Sequence, residues 1–131
     1  MNNTKTEPFG YLMTLDLYGC KEGLCDDLGF CYAFLEDLVV KLNMSKQSPP
    51  FIFKSDEVKY PDKAGLSGWI PLIESGIQIH TLTPKNFVSI DIYSCGKFSA
   101  EHIKEFVQDY FECQEVESNY VERGLKYNHI I

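Results

Sequence analysis

Ten residues near the middle of the chain decide its fold: Leu72-Ile73-Glu74-Ser75-Gly76-Ile77-Gln78-Ile79-His80-Thr81. Apolar and polar residues alternate after Gly76, a pattern typical of a β-strand with one buried face. The stretch also places an acid directly before Ser75 and a histidine five residues after it, while Cys95 follows at a distance of twenty residues. A hydroxyl nucleophile, a proton carrier and a thiol acid therefore lie within reach of one hairpin.

Length and composition predict a single globular domain, residues 1–131, with 44% hydrophobic and 14% aromatic residues. No apolar run approaches the ~20 residues that span a bilayer, so we expect no membrane partner. The first eight residues lack the apolar core of a signal peptide, which predicts a cytoplasmic location. The net charge of −7 disfavours nucleic acid, which needs clustered Lys and Arg, and suits a cationic ligand better.

The five cysteines include no Cys-x-x-Cys pair, so neither a disulfide framework nor a metal site is predicted. Cys20, Cys31 and Cys113 are interpreted as structural thiols in the core. A catalytic role is considered only for Cys95.

Strands and helices follow each other along the chain. Hydrophobic periodicity and turn residues predict strands at residues 10–18, 51–54, 68–73, 76–81, 87–95 and 116–121, a helix at residues 26–44, and a second helix that begins after Ser99. This order predicts an α+β fold, a two-layer sandwich of an antiparallel or mixed sheet with two helices on one face. The chain has no further helix for the other face, so we expect a homodimer that stacks sheet on sheet.

The register of two central strands follows from matching their polar faces. Gln78 and His80 share a face of one strand, and Asp91 and Cys95 share a face of the next. This matching places His80 opposite Asp91, which would either orient the imidazole or simply pair with it as a strand neighbour, and Gly76 opposite Cys95. Ser75 is then expected beside Cys95.

The spacing of these residues resembles the self-processing site of prokaryotic S-adenosylmethionine decarboxylases. The resemblance rests on Glu-Ser, on His at plus five, on Cys-Gly at plus twenty, and on Ser67-Gly68 at minus eight. It extends over most of the chain, through three further segments: Phe9-Gly10, Asp16-Leu17-Tyr18-Gly19-Cys20 and Glu122-Arg123-Gly124.

The resemblance implies that the chain cuts itself between Glu74 and Ser75, giving residues 1–74 and 75–131, with Ser75 converted into a pyruvoyl group. Ser67 and His80 would assist processing, and Cys95 would be the catalytic acid. A pyruvoyl carbonyl condenses with the α-amine of an amino acid and accepts the electrons released with CO₂, so a small-molecule substrate and no metal are expected. The family works in polyamine biosynthesis, as homodimers with two active sites at the interface.

The substrate prediction rests on a departure of the chain from the family pattern. Where the family typically reads His-Thr-aromatic-Pro-Glu, this chain reads His80-Thr81-Leu82-Thr83-Pro84, without the adenine-stacking ring and the ribose-binding acid. We therefore expect L-ornithine or L-arginine, with Asp16 as a candidate partner for the cationic side chain. S-adenosylmethionine, with Trp69 or Tyr60 supplying the stacking ring, is the alternative, and a non-processing regulatory homologue is the third hypothesis.

Overall fold

The computed structural model describes residues 7–130; residues 1–6, on which the signal-peptide expectation partly rests, and Ile131 lie outside the described residues. Strands β1 to β6 span Gly10–Tyr18, Phe51–Lys54, Leu66–Leu72, Ser75–Leu82, Phe87–Ser94 and Glu115–Arg123, and helices α1 and α2 span Leu28–Lys41 and Ala100–Phe111. Short 3-10 turns occur at Leu24–Asp26, Pro61–Lys63, Thr83–Lys85 and Tyr127–His129. The predicted elements are all present, with ends that differ by a few residues.

The six strands form one sheet in the order β2-β3-β4-β5-β1-β6, and every neighbouring pair is antiparallel. Both helices pack on the same face of this sheet and share its apolar core. The predicted α+β sandwich is therefore confirmed, with the antiparallel form of the sheet. The strands β4 and β5 lie at the centre; β4 carries Ser75 and His80, and Cys95 directly follows β5.

Both helices begin at side chains that cap them. Asp27 accepts a hydrogen bond from the Phe30 amide at 3.0 Å, and Ser99 accepts one from the His102 amide at 3.2 Å. From α1, the residues Cys31, Phe34, Leu35, Leu38 and Val39 are buried against the sheet, and from α2, Ile103, Val107 and Phe111. Leu28 is 40% exposed because it lies at the start of α1. Neither helix in residues 7–130 is long and apolar enough to cross a membrane.

Strand alternation divides the sheet into a covered face and an open face. On the covered face lie the fully buried residues Leu15, Leu17, Ile70, Ile77, Ile79, Val88, Ile90 and Ile92. The open face carries the predicted polar residues, and the helices leave it exposed. The site chemistry and the core are therefore on opposite sides of the same strands.

The predicted register between β4 and β5 is wrong by two residues. His80 pairs with Ser89 and Gly76 pairs with Tyr93, so Asp91 lies opposite Gln78. The prediction matched polar faces alone, whereas the connection sets the register: the 3-10 turn Thr83–Lys85 and Asn86, with a left-handed φ of 48°, bring Leu82 opposite Phe87. A shift of two keeps every side chain on its predicted face, so the open face was assigned correctly.

Candidate active site

Ser75 and Cys95 meet at one end of the central strands. Ser75 is the first residue of β4, and its Oγ accepts a hydrogen bond from the backbone amide of Cys95 at 2.9 Å. The turn after β5 aims this amide, because the buried Ser94 hydroxyl bonds the Gly96 carbonyl and amide, at 2.6 and 3.0 Å. The predicted neighbourhood of Ser75 and Cys95 is therefore present, although the register that led to it was wrong.

The bond expected to break lies in a strained turn. Leu72 pairs with Ser75, so Ile73 and Glu74 alone connect β3 to β4. Glu74 has a φ of 56°, the left-handed region that residues with a Cβ rarely adopt, at a cost of roughly 1–3 kcal/mol. The peptide between Glu74 and Ser75 therefore joins a strained residue to a serine whose Oγ already accepts a hydrogen bond.

Ser67 and His80 form a second pair, on the open face. They are register partners in β3 and β4, and Ser67 Oγ lies 3.0 Å from His80 Nδ1. Gln78 Nε2 lies 2.9 Å from His80 Nε2. Because an amide nitrogen only donates, a neutral His80 in this arrangement accepts at Nε2 and carries its proton on Nδ1, facing Ser67 Oγ. Asp91, predicted to orient the histidine, does not do so; Gln78 does. Gln78 is two residues before His80 on the same face of the strand, and this spacing could have identified it in the sequence as a neighbour of the imidazole.

The two pairs are far apart within one chain. Ser75 and His80 are five residues apart on β4, which corresponds to about 16 Å along a strand. They also differ in face, because residue 75 has the parity of the covered face and His80 that of the open face. The structure therefore brings together Ser75 with Cys95, and Ser67 with His80, but not all four residues.

The candidate substrate-binding residues surround two concavities. Trp69 lines one of about 290 Å³ together with Ser75, Tyr93 and Asp91. Tyr60 lines a larger one, of about 760 Å³, beside Ser67 and His80. Trp69 is 49% exposed, and its ring stacks on that of Phe51 with centroids 5.7 Å apart.

Asp16 lies away from Ser75. It pairs with Ser89 and Glu117, in the same cross-strand row as His80. Asp91 is one row nearer to Ser75 and belongs to its concavity. The sequence analysis did not consider Asp91 for substrate binding, because the predicted register assigned it to His80.

Carboxylates dominate the charge on the open face. Asp16, Asp91, Glu115 and Glu117 occupy its alternate strand positions, and Arg123 is the one Lys or Arg among those positions in the described strands. A hydrogen bond to Glu117, together with burial and the charges of Glu117, Asp16 and Glu115, raises the pKa of Tyr18 to about 12. A cation approaching this face therefore meets a negative field.

Cys95 differs from the other thiols in its accessibility. It is half-buried, whereas Cys20, Cys25, Cys31 and Cys113 are buried, all five being within residues 7–130. Burial raises the pKa of the Cys31 thiol to about 12, and a hydrogen bond to Cys25 raises that of Cys20, so both stay protonated. Within the described part of the chain, no three His, Cys, Asp or Glu side chains converge as a metal site would require.

Comparisons with known proteins match this chain to one family. The sequence profile described as S-adenosylmethionine decarboxylase matches residues 11–124. A Clostridium botulinum protein (strain Langeland) named S-adenosylmethionine decarboxylase proenzyme is 27% identical over 116 residues, 88% of this chain and 94% of that protein. A protein of the same name from Pyrococcus furiosus is 25% identical over 122 residues, 92% of this chain and 82% of the relative.

A solved structure shows the same fold. The crystal structure of the adenosylmethionine decarboxylase from Aquifex aeolicus VF5 superimposes with a TM-score of 0.76 at 24% identity, covering 90% of this chain and 92% of that chain.

Glu74→Gly should stabilise the uncleaved chain. Glycine removes the energetic penalty of the left-handed conformation, roughly 1–2 kcal/mol. It also increases the conformational entropy of the unfolded chain, which destabilises the folded state by about 0.4–1 kcal/mol. We therefore expect a free energy of unfolding that is higher by up to about 1.6 kcal/mol. The measurement is urea denaturation of Glu74→Gly/Ser75→Ala against Ser75→Ala, in which cleavage is blocked.

Ile73→Gly in the same background is the matched control. Ile73 is the other residue of the turn and its φ is not positive, so glycine should lower the free energy of unfolding there. Equal destabilisation by both glycines would contradict a strained Glu74.

Proposed function

The chain belongs to the S-adenosylmethionine decarboxylase family, and we propose that it is a proenzyme that cuts itself between Glu74 and Ser75 to become a pyruvoyl-dependent amino-acid decarboxylase. The observation that carries this proposal is the hydrogen bond from the Cys95 amide to Ser75 Oγ, beside the strained Glu74. It fixes the nucleophile next to the peptide that must break.

Self-cleavage uses groups of the chain itself. Ser75 Oγ attacks the Glu74 carbonyl carbon and gives its proton to a base. The C–N bond of the adduct then breaks as the base returns the proton to the Ser75 nitrogen, which leaves the acyl group on Oγ as an ester. Removal of the Ser75 Cα proton then expels the Glu74 carboxylate and leaves dehydroalanine. Water replaces its amine, releasing ammonia and leaving a pyruvoyl group on residue 75. The Cys95 amide supports the first step by holding Oγ and by donating to negative charge that develops there.

The proton carriers come from a second protomer. His80 of the same chain lies about 16 Å from Ser75 along β4, and Ser67 lies opposite His80 on the neighbouring strand β3. The uncovered open face, with its exposed Trp69 and Phe53, supports sheet-on-sheet stacking of two copies. In such a homodimer, each site combines Ser75 and Cys95 of one chain with Ser67 and His80 of the other.

Cys95 is proposed as the acid of the decarboxylation. When present, the pyruvoyl group would withdraw the electrons released with CO₂, which leaves a carbon that must be protonated. The Cys95 thiol is half-buried next to Ser75, within 3.9 Å of the Ile73 carbonyl oxygen. It is therefore near enough to deliver that proton, and is the most accessible of the described thiols.

The substrate is proposed to be an amino acid with a cationic side chain, L-ornithine or L-arginine. Leu82 and Pro84 stand where the family has its stacking ring and its ribose-binding acid, and the open face is rich in carboxylates. Asp91 is a better partner for the cation than Asp16, because Asp91 lines the concavity of Ser75. It lies two residues along β5 from Tyr93, the partner of Gly76, or about 7 Å. An ornithine or arginine side chain spans such a distance.

S-adenosylmethionine is the second candidate substrate. The relatives from C. botulinum and P. furiosus carry its name, which favours it. Stacked Phe51 and Trp69 offer an exposed aromatic platform next to Ser75 and His80, on which a purine ring can lie.

Purified protein should consist of two fragments, residues 1–74 and 75–131, with the second lacking its N-terminal amine. Intact-mass spectrometry under denaturing conditions measures this directly. Ser75→Ala removes the nucleophile and should stay full length. A wild-type chain that remains intact after long incubation would refute the proposal and favour a non-processing regulatory homologue.

Two variants that do not cleave by themselves should together form a heterodimer in which one chain is cleaved. Ser75→Ala keeps Ser67 and His80, whereas His80→Ala keeps Ser75 and Cys95, so a heterodimer contains one complete site. Co-expression with different tags should give cleavage of the His80→Ala chain alone, as seen on a denaturing gel. If His80→Ala cleaves fully by itself, or the mixture yields no fragments, the division of the site between two protomers is wrong.

Asp91→Asn should lower kcat/KM for the preferred cationic amino acid by 10-fold or more, because a charged hydrogen bond contributes about 1.5–3 kcal/mol. Asp16→Asn is the matched control, since it removes the same charge one row away and should change kcat/KM less. The assay is CO₂ release from L-ornithine, L-arginine and S-adenosylmethionine by processed enzyme. Highest kcat/KM with S-adenosylmethionine in the wild type would select the alternative.

A further inference from the structure

The only arginine of the chain is held against a wall of the Ser75 concavity. The guanidinium carbon of Arg123 lies 5.2 Å from the centroid of the Tyr93 ring, in a cation–π arrangement. Tyr93 pairs with Gly76 on β4 and lines the concavity together with Ser75. Arg123 belongs to β6, on the far side of β1, so its contact with Tyr93 passes across an intervening strand.

A glycine makes this contact possible. Gly10 is the residue of β1 that pairs with Arg123, and a Cβ at position 10 would lie 2.8 Å from the Ser94 carbonyl oxygen and 3.1 Å from the Tyr93 hydroxyl. The Tyr93 ring therefore lies over bare backbone, where a side chain would displace it. Arg123 closes on that ring from the other side of β1.

The chain segments next to Gly10 and Arg123 are also held together. The Phe9 amide donates to the Gly124 carbonyl at 3.1 Å. Gly124 has a φ of 67°, and a Cβ there would lie 2.6 Å from that of Phe9. Phe9-Gly10 and Glu122-Arg123-Gly124, which are distant in sequence and have no place in the cleavage chemistry, thus build one structural unit around Tyr93.

We propose that Arg123 is a positioning residue for self-cleavage and catalysis, acting through Tyr93. Tyr93 is two residues before Cys95, whose amide holds Ser75 Oγ. Clamping the ring between Gly10 and Arg123 fixes the end of β5, and with it both the Cys95 amide and the concavity wall. The inference rests on the proposed function, because its consequence is a rate of cleavage.

The test compares Arg123→Met with Lys126→Met. Lys126 is a cation three residues further on, and its side chain makes no ring contact or ion pair within residues 7–130. Arg123→Met should slow self-cleavage and lower kcat by about 3- to 10-fold, with a smaller change in KM. Lys126→Met should change neither, and Arg123→Lys, which keeps a cation over the ring, should recover most of the loss. Thermal denaturation confirms that each variant is folded.

Two further measurements separate the possible failures. Tyr93→Leu combined with Arg123→Met should be no slower than Tyr93→Leu alone, whereas additive losses would overturn the clamp. Hydrogen exchange of residues 93–96 should be faster in Arg123→Met than in Lys126→Met, whether or not the chain is cleaved. A wild-type chain that never cleaves refutes the proposed function, and the exchange rates then decide on the clamp. Cleavage at the wild-type rate in folded Arg123→Met overturns the positioning role alone.

Discussion

The pairing of β4 with β5 at the centre of the sheet is the constraint on which the site depends. Strand alternation allows these strands to bury one face under the helices and present the other, so core and chemistry use the same backbone. The pairing brings the start of β4 to the end of β5, which is why residues twenty apart in sequence share a hydrogen bond. The extended conformation of β4 also separates Ser75 from His80, because both residues belong to this strand.

Much of this arrangement could be predicted from the sequence. The alternation from Ile77 to Thr81 identifies a strand and its faces, and Ser99 identifies the start of the second helix. The β4–β5 register could not be obtained, because polar faces match equally well after a shift of two residues. Only the geometry of the connection decides between such registers, and here the connection is the 3-10 turn Thr83–Lys85 followed by Asn86. The wrong register placed Asp91 beside His80, where the structure has Gln78. The prediction therefore missed that Asp91 lies near Ser75.

The open face explains why one chain has only half of the proposed chemistry. Two residues five positions apart on one extended strand are about 16 Å apart, too far to act on the same reacting atom. A second copy, facing the first, removes that limitation without any additional element. The same face carries the carboxylates and the Phe51–Trp69 stack, so the proposed association and the proposed substrate selection would use a common surface.

The strand order β2-β3-β4-β5-β1-β6 has a consequence for what a cut at residue 74 leaves behind. Strands β1, β2 and β3 belong to the first fragment and β4, β5 and β6 to the second, and β1 is inserted between β5 and β6. The fragments are therefore interleaved, and they cannot separate without breaking three ladders and dividing the core. The proposed cleavage would therefore replace one peptide bond by a noncovalent assembly of two chains, whose refolding from the denatured state would be bimolecular and would depend on concentration.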